Sequence, residues 1–125
     1  LDEKTEAIVL PGGMPGTLNL EKSPVVQKAI DWAVENDKLI CAICAAPSIL
    51  GHKGLLEGKK ATCFPGFEEE LFGAEVSKDF VVKDGNFITA KGMGSAIEFG
   101  LQIAETLTNP LEAKKIRASL QIYNG

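Results

Sequence analysis

The stretch LICAICAAP, residues 39–47, decides how the chain is read. Leu39 to Ile43 form an apolar run with no polar face, the pattern of a strand buried on both sides of a sheet. Cys44-Ala45-Ala46-Pro47 then interrupts the run, and the SILGHKGLL that follows is apolar at helical spacing. Strand, tight turn and helix are therefore expected in that order. A residue at such a junction stands over the carboxyl end of the sheet, where α/β proteins assemble their sites, and Cys44 holds that place. The N–H groups and partial positive charge of the following helix start favour a thiolate there. The arrangement is that of a nucleophile elbow with cysteine in place of serine. Its competitor is a small buried apolar residue, because free cysteine is among the most buried side chains.

The same alternation extends outward. Upstream, Ala7-Ile8-Val9-Leu10 is a second run without a polar face, expected as a central strand and ended by the glycine loop PGGMPG, residues 11–16. Ser23 is placed to N-cap a helix with Pro24 at its first position, burying Val26, Ala29, Ile30, Ala33 and Val34 and closing at Asn36-Asp37. Downstream, Lys60 to Phe64 reads as a third strand and Phe67 to Phe72 as a short helix with acids near its positive end. Phe80 to Lys83 and Phe87 to Ala90 flank Asp84-Gly85-Asn86, which predicts an antiparallel hairpin at an edge. Ser95 and Glu98 have capping-box spacing before Ile97, Leu101, Ala104 and Leu107, and a last helix is expected over Leu111 to Ile122. The class is α/β, with helices over a mostly parallel sheet, in a single domain of residues 1–125.

Composition bounds the function. With 125 residues, 45% apolar and 24% charged, the chain is long enough to bury a core without staples and is no disordered tail. Thirteen Lys and Arg against seventeen Asp and Glu leave a net charge of -4, without the concentrated basic face that nucleic acid needs. No apolar run approaches the roughly 20 residues of a membrane helix, and LDEKTEA at residues 1–7 is too polar for a signal peptide, so the expected location is cytoplasmic. Cys41, Cys44 and Cys63 are too few and too unevenly spaced for a secreted disulfide framework.

Several chemistries can be weighed residue by residue. Gly12 and Gly13 let the backbone approach a ligand with its N–H groups, which suits a small anion or oxyanion; a plain turn is the alternative. The loop is no GxGxxG fingerprint, and GxxxxGK[ST] is absent. Lys91-Gly92-Met93-Gly94-Ser95, at another helix start, is expected as a third wall of the same site. Cys41-x-x-Cys44 is a poor redox pair, since Cys41 falls inside a strand, facing away from the turn. Zinc has only Cys41, Cys44, Cys63 and His52, without paired spacing. His52 lies eight residues past Cys44, about 12 Å along a helix, too far to act as its base. It reads as a surface histidine, and Glu68, Glu69 and Glu70 as a solvated helix start.

Taken together, AIVLPGGMPGTLNL, AICAAPSILGHKGLLEGKKATCFPG and VVKDGNFITAKGMGSAIEFGLQI resemble the ThiJ/PfpI superfamily, in its parkinsonism-associated deglycase-like branch, over nearly the whole chain. The resemblance implies a flavodoxin-like (class I glutamine amidotransferase-like) three-layer sandwich, usually a homodimer. It matches Cys44 to the family's reactive cysteine, Gly13 and Ala45 to the backbone N–H donors facing it, and Gly12 to the first glycine of that loop. Ala45 stands where the protease-like branch has a histidine, and Phe64 aligns with another family histidine, so peptidase or amidase activity is disfavoured. The chain starts at what resembles the family's third strand. The family's glutamate partner of the cysteine would precede it, and an N-terminal fragment of the same protein is the expected neighbour of the Ile8–Leu10 strand.

The function this implies is a cysteine-dependent enzyme acting on 2-oxoaldehydes such as methylglyoxal, or on their early glycation adducts, with no cofactor and no metal. The alternative is a redox sensor or holding chaperone that uses oxidation of the same thiol.

Overall fold

The computed structural model describes residues 5–107. Its centre is β2 (Leu39–Ile43), which pairs in parallel with β1 (Ala7–Leu10) on one side and with β6 (Phe87–Ala90) on the other. β5 (Val81–Asp84) adds an antiparallel edge, giving the order β1-β2-β6-β5. The β5–β6 hairpin turns at Gly85, whose φ of +60° is the left-handed conformation this tight connection requires.

Successive residues of β2 enter different cores, because strand side chains alternate. Ile40 and Ala42 pack with Leu10, Ile30, Ala33, Ile49 and Leu50, beneath α2 (Pro24–Glu35) and α3 (Pro47–His52). Leu39 and Cys41 pack on the opposite face with Ile88, Ala90 and Phe99, the last from α4 (Ala96–Leu107). Helix, sheet and helix thus form three layers in a flavodoxin-like arrangement, and the uniformly apolar β2 run follows from cover on both faces.

α2 starts as its sequence predicts: the Ser23 hydroxyl accepts the Val26 amide at 3.3 Å, and Pro24 needs no partner at the first position. Its stripe is narrower than expected, for Ile30 and Ala33 are buried while Val34 is exposed. An additional helix, α1 (Gly16–Lys22), fills the span between the glycine loop and Ser23. In α4 the inward face carries Phe99 and Leu101 rather than Ile97, which is exposed.

Three expectations are corrected. Ala7–Leu10 is not central among the described residues: β1 pairs only with β2, and Val9 is 50% exposed. The strand expected over Lys60–Phe64 is limited to β3 (Lys60–Ala61), which pairs with β4 (Glu75–Val76) in a separate two-stranded sheet. It stops because the Thr62 amide donates to the Thr89 hydroxyl at 2.9 Å and the Phe64 amide to the Cys44 carbonyl at 2.7 Å, which pulls the chain toward the main sheet. The helix expected over Phe67–Phe72 contracts to a 3-10 turn, Glu68–Glu70. The helix expected over Leu111–Ile122 lies outside the described residues. Among the described residues no helix is long and apolar enough to cross a membrane.

Candidate active site

Cys44 sits directly after β2 with φ of +62°, a left-handed conformation that a residue with a Cβ adopts at a cost of about 1–2 kcal/mol. Long-range bonds hold it there. The Cys44 amide donates to the Ala90 carbonyl at 3.0 Å, its carbonyl accepts the Phe64 amide at 2.7 Å, and the turn closes with Ala46 N–H donating to Ile43 at 3.1 Å. β6 and the loop after β3 therefore grip the two peptide groups that flank the Cys44 Cα, which is how a strained elbow persists. The Ser48 hydroxyl donates to the Ala45 carbonyl at 2.6 Å and fixes the start of α3.

The glycine loop meets this elbow. A Cβ on Gly12 would overlap the Cys44 Cβ and the Ile43 carbonyl and stand 3.2 Å from the Ala45 nitrogen, so only glycine fits. Gly13 has φ of +104°, and its carbonyl accepts both the Thr17 amide at 2.8 Å and the Thr17 hydroxyl at 2.9 Å. Among the described residues no hydrogen bond leaves the amide of Gly13 or of Ala45. Gly13, Cys44 and Ala45 line one cavity of about 290 Å³ with Met14, Phe64 and Phe67. The Lys91–Ser95 segment, expected as a third wall, comes near the thiol but lines an adjoining cavity: a Cβ on Gly92 would lie 3.7 Å from the Cys44 sulfur. Ser95 shapes that segment by donating to the Gly92 carbonyl at 2.8 Å and accepting its amide at 3.2 Å.

The remaining candidates separate from this cavity. Cys41 and Cys63 are buried in cores on opposite faces of the sheet, which parts Cys41 from any shared zinc set with Cys63. Burial pushes the Cys41 thiol up to about 12 and, with the charge of Glu68, the Cys63 thiol up to about 11, so both are neutral and unreactive at neutral pH. Only Cys44 of the three is partly exposed. His52 commits its ring nitrogens to carboxylates, Nδ1 to Glu21 at 2.5 Å and Nε2 to Glu70 at 3.7 Å. Sequence reasoning missed Phe67 as a cavity wall, its only signal being adjacency to the Pro65-Gly66 turn, while Met14 belongs to the glycine loop already singled out.

Residues 1–106 match the model of the DJ-1/PfpI family. Protein dj-1beta of Drosophila melanogaster is 37% identical over 125 residues, covering 98% of this chain and 67% of that protein. A Caenorhabditis elegans relative named glutathione-independent glyoxalase DJR-1.2 is 36% identical over 107 residues, covering 84% of this chain and 56% of that protein. Among solved structures, that of oxidized Toxoplasma gondii DJ-1 superposes with a TM-score of 0.90 at 36% identity, covering 97% of this chain and 67% of that one. The chain thus spans between about half and two thirds of the length of these relatives. Motif, elbow geometry and comparison agree, and the chain belongs to the DJ-1/PfpI family.

Proposed function

We propose that this chain carries the nucleophile and the oxyanion-binding groups of a cysteine-dependent enzyme acting on 2-oxoaldehydes such as methylglyoxal, or on their early adducts. The observation that carries the reading is the juxtaposition on one apolar cavity of a partly exposed Cys44, held at φ of +62°, with Gly13 and Ala45, whose amides donate no hydrogen bond among the described residues. The glyoxalase named among the relatives supports the substrate class.

In this reading the Cys44 thiolate adds to the aldehyde carbon, forming a C–S bond, and the carbonyl electron pair moves to oxygen. The amides of Gly13 and Ala45 stabilise that oxyanion, as preorganised donors do. The hemithioacetal carbon then loses its proton to a base, and the neighbouring carbon regains one, through an enediolate. The result is a thioester of the 2-hydroxy acid, and water releases the acid with return of the thiolate. Oxidation at one carbon is balanced by reduction at the next, so the overall change is addition of water. The base would be a carboxylate from an N-terminal segment pairing along the outer edge of β1, and the working unit a homodimer.

The test uses full-length protein with methylglyoxal. Cys44→Ser is expected to lower lactate formation by at least a thousandfold, and equal conversion by the variant would overturn the mechanism. A redox sensor or holding chaperone is the second reading, favoured by Cys44 being the one partly exposed thiol among the three. Oxidation confined to Cys44 under mild peroxide, without any turnover, would select it.

A further inference from the structure

The Cys44 cavity does not end at Phe64. That ring also lines a second cavity of about 250 Å³, whose other walls are Pro65, Phe80, Lys91, Gly92, Gly94 and Ser95. The hollows are neighbours: they share Phe64, and Gly92 of the second stands beside the thiol, a Cβ built on it lying 3.7 Å from the Cys44 sulfur. Taken as two lobes of one cleft, they together fall within the roughly 300–1,000 Å³ of small-molecule sites, well above what a three-carbon aldehyde fills.

The second lobe has a defined character. Phe64 and Phe80 are 45% and 69% exposed, an unusual outlay for two aromatic rings flanking one hollow. Neither is loose at the main chain: Phe64 is tied to the Cys44 carbonyl at 2.7 Å, and the Phe80 carbonyl accepts the Lys91 amide at 3.0 Å. The Lys91 ammonium lies 5.3 Å from the centre of the Phe80 ring, a cation–π contact at the wall of the lobe. A flat apolar group entering this lobe would meet aromatic surface, where offset and edge contacts are favourable.

We propose that this second lobe is a subsite for an aromatic ring, so that the substrate class of the cleft is aryl-substituted 2-oxoaldehydes and adducts bearing an aromatic group, with the reacting carbonyl at Cys44 and the ring between Phe64 and Phe80. The proposal rests on the reading of Cys44 as the nucleophile of a 2-oxoaldehyde enzyme. Phe80 acts as a specificity residue through its ring, and Lys91 is the charged wall of the same lobe.

Two measurements on the full-length protein keep the proposal and that reading apart. In the first, the ratio of kcat/KM for phenylglyoxal to that for methylglyoxal is expected to be at least about tenfold. It falls to about two in Phe80→Ala and is retained in Phe80→Tyr, the ratio cancelling any loss common to both substrates. The second needs no turnover: calorimetry of Cys44→Ser with benzoylformate and with pyruvate, whose 2-oxo acid groups replace the reactive aldehyde. Benzoylformate is expected to bind about tenfold more tightly, with the difference abolished by Phe80→Ala. Absence of turnover with both aldehydes would remove the enzymatic reading while the binding ratio still decides the subsite. Equal binding of the two acids, or a preference unchanged by Phe80→Ala, would overturn the subsite.

Discussion

Gly12→Ala is the sharpest perturbation the site offers, because one methyl group is aimed at the carbon that carries the Cys44 thiol. The added Cβ would meet the Cys44 Cβ and the Ile43 carbonyl, each about 1 Å inside ordinary contact. Neither is the far end of a flexible side chain; both belong to the end of β2 and the elbow. That segment is held from the other side by the bonds to Ala90 and Phe64. The strain must therefore be taken by moving the β1 loop away from the elbow or by turning Cys44 within it. Either motion displaces the sulfur relative to the Gly13 and Ala45 amides by about 1 Å. A misplacement of that size costs roughly a hundredfold in rate. Overpacking of the same junction costs about 1–3 kcal/mol of stability, visible as a melting point lower by roughly 2–4 °C per kcal/mol in the full-length protein.

The assay compares Gly12→Ala with Gly16→Ala in full-length protein. A Cβ on Gly16 meets nothing within 4 Å, and Gly16 starts α1, so that variant is the matched control for the change of residue type. Methylglyoxal turnover and the rate of Cys44 alkylation should fall about a hundredfold in the first and stay within twofold in the second. Turnover and alkylation of Gly12→Ala within threefold of the unmodified protein would refute the claim that Gly12 sets the position of the thiol.

Two further outcomes follow from the buried thiols. Iodoacetamide at neutral pH should label Cys44 alone in the folded protein, since Cys41 and Cys63 are buried and neutral; peptide mapping that found either labelled at a comparable rate would contradict the packing. Stability should also fall as pH rises above 9. There the unfolded chain releases thiol protons near the ordinary value of 9.0, whereas the folded chain keeps that of Cys63 to about 11 and that of Cys41 to about 12. The unfolded state then binds fewer protons, and each thiol contributes a slope of up to about -1.4 kcal/mol per pH unit. Urea midpoints between pH 8 and 11 should show it, and a Cys41→Ala, Cys63→Ala double variant with an unchanged slope would disprove the attribution.

What was legible in the sequence was local and periodic. LICAI reads as a strand covered on both faces because Ile40 and Leu39 enter different cores, and the turn chemistry of Asp84-Gly85-Asn86 specifies its hairpin. Ser23 and Pro24 likewise announce α2. The misreadings share another cause. KATCF has strand composition, but Thr62 and Phe64 spend their amides on Thr89 and Cys44, partners 27 and 20 residues away, which no window of sequence displays. α1 lacks a side-chain cap and is anchored by Thr17 on Gly13, so its start carries no capping signal. Ile8–Leu10 has the composition of an interior strand, yet among the described residues its partner is β2 alone. At the site, Cys44, the glycines and Met14 lie in recognisable motifs, whereas Phe67 and Phe80 join the site only through tertiary approach.

The design of the elbow explains why the motif carries so much of the information. The candidate oxyanion donors are main-chain amides, so the side chains at Gly13 and Ala45 matter only through the backbone shape they permit. That shape is fixed from three directions: the Ala90 carbonyl at the end of β6, the Phe64 amide after β3, and the Gly12 surface after β1. Each is the carboxyl end of a strand or the segment just past one, where an α/β sheet leaves its crevice. A residue in this position feels the register of the sheet directly, since Cys44 continues the β2 ladder one residue beyond the Ile43–Ala90 pair. A slip of one residue between β2 and β6 would invert the two cores and also release the Cys44 amide. The hydrophobic alternation that builds the sheet and the strained conformation that presents the thiol are therefore specified by the same pairing, and Cys44 keeps its geometry at the cost of about 1–2 kcal/mol of local strain.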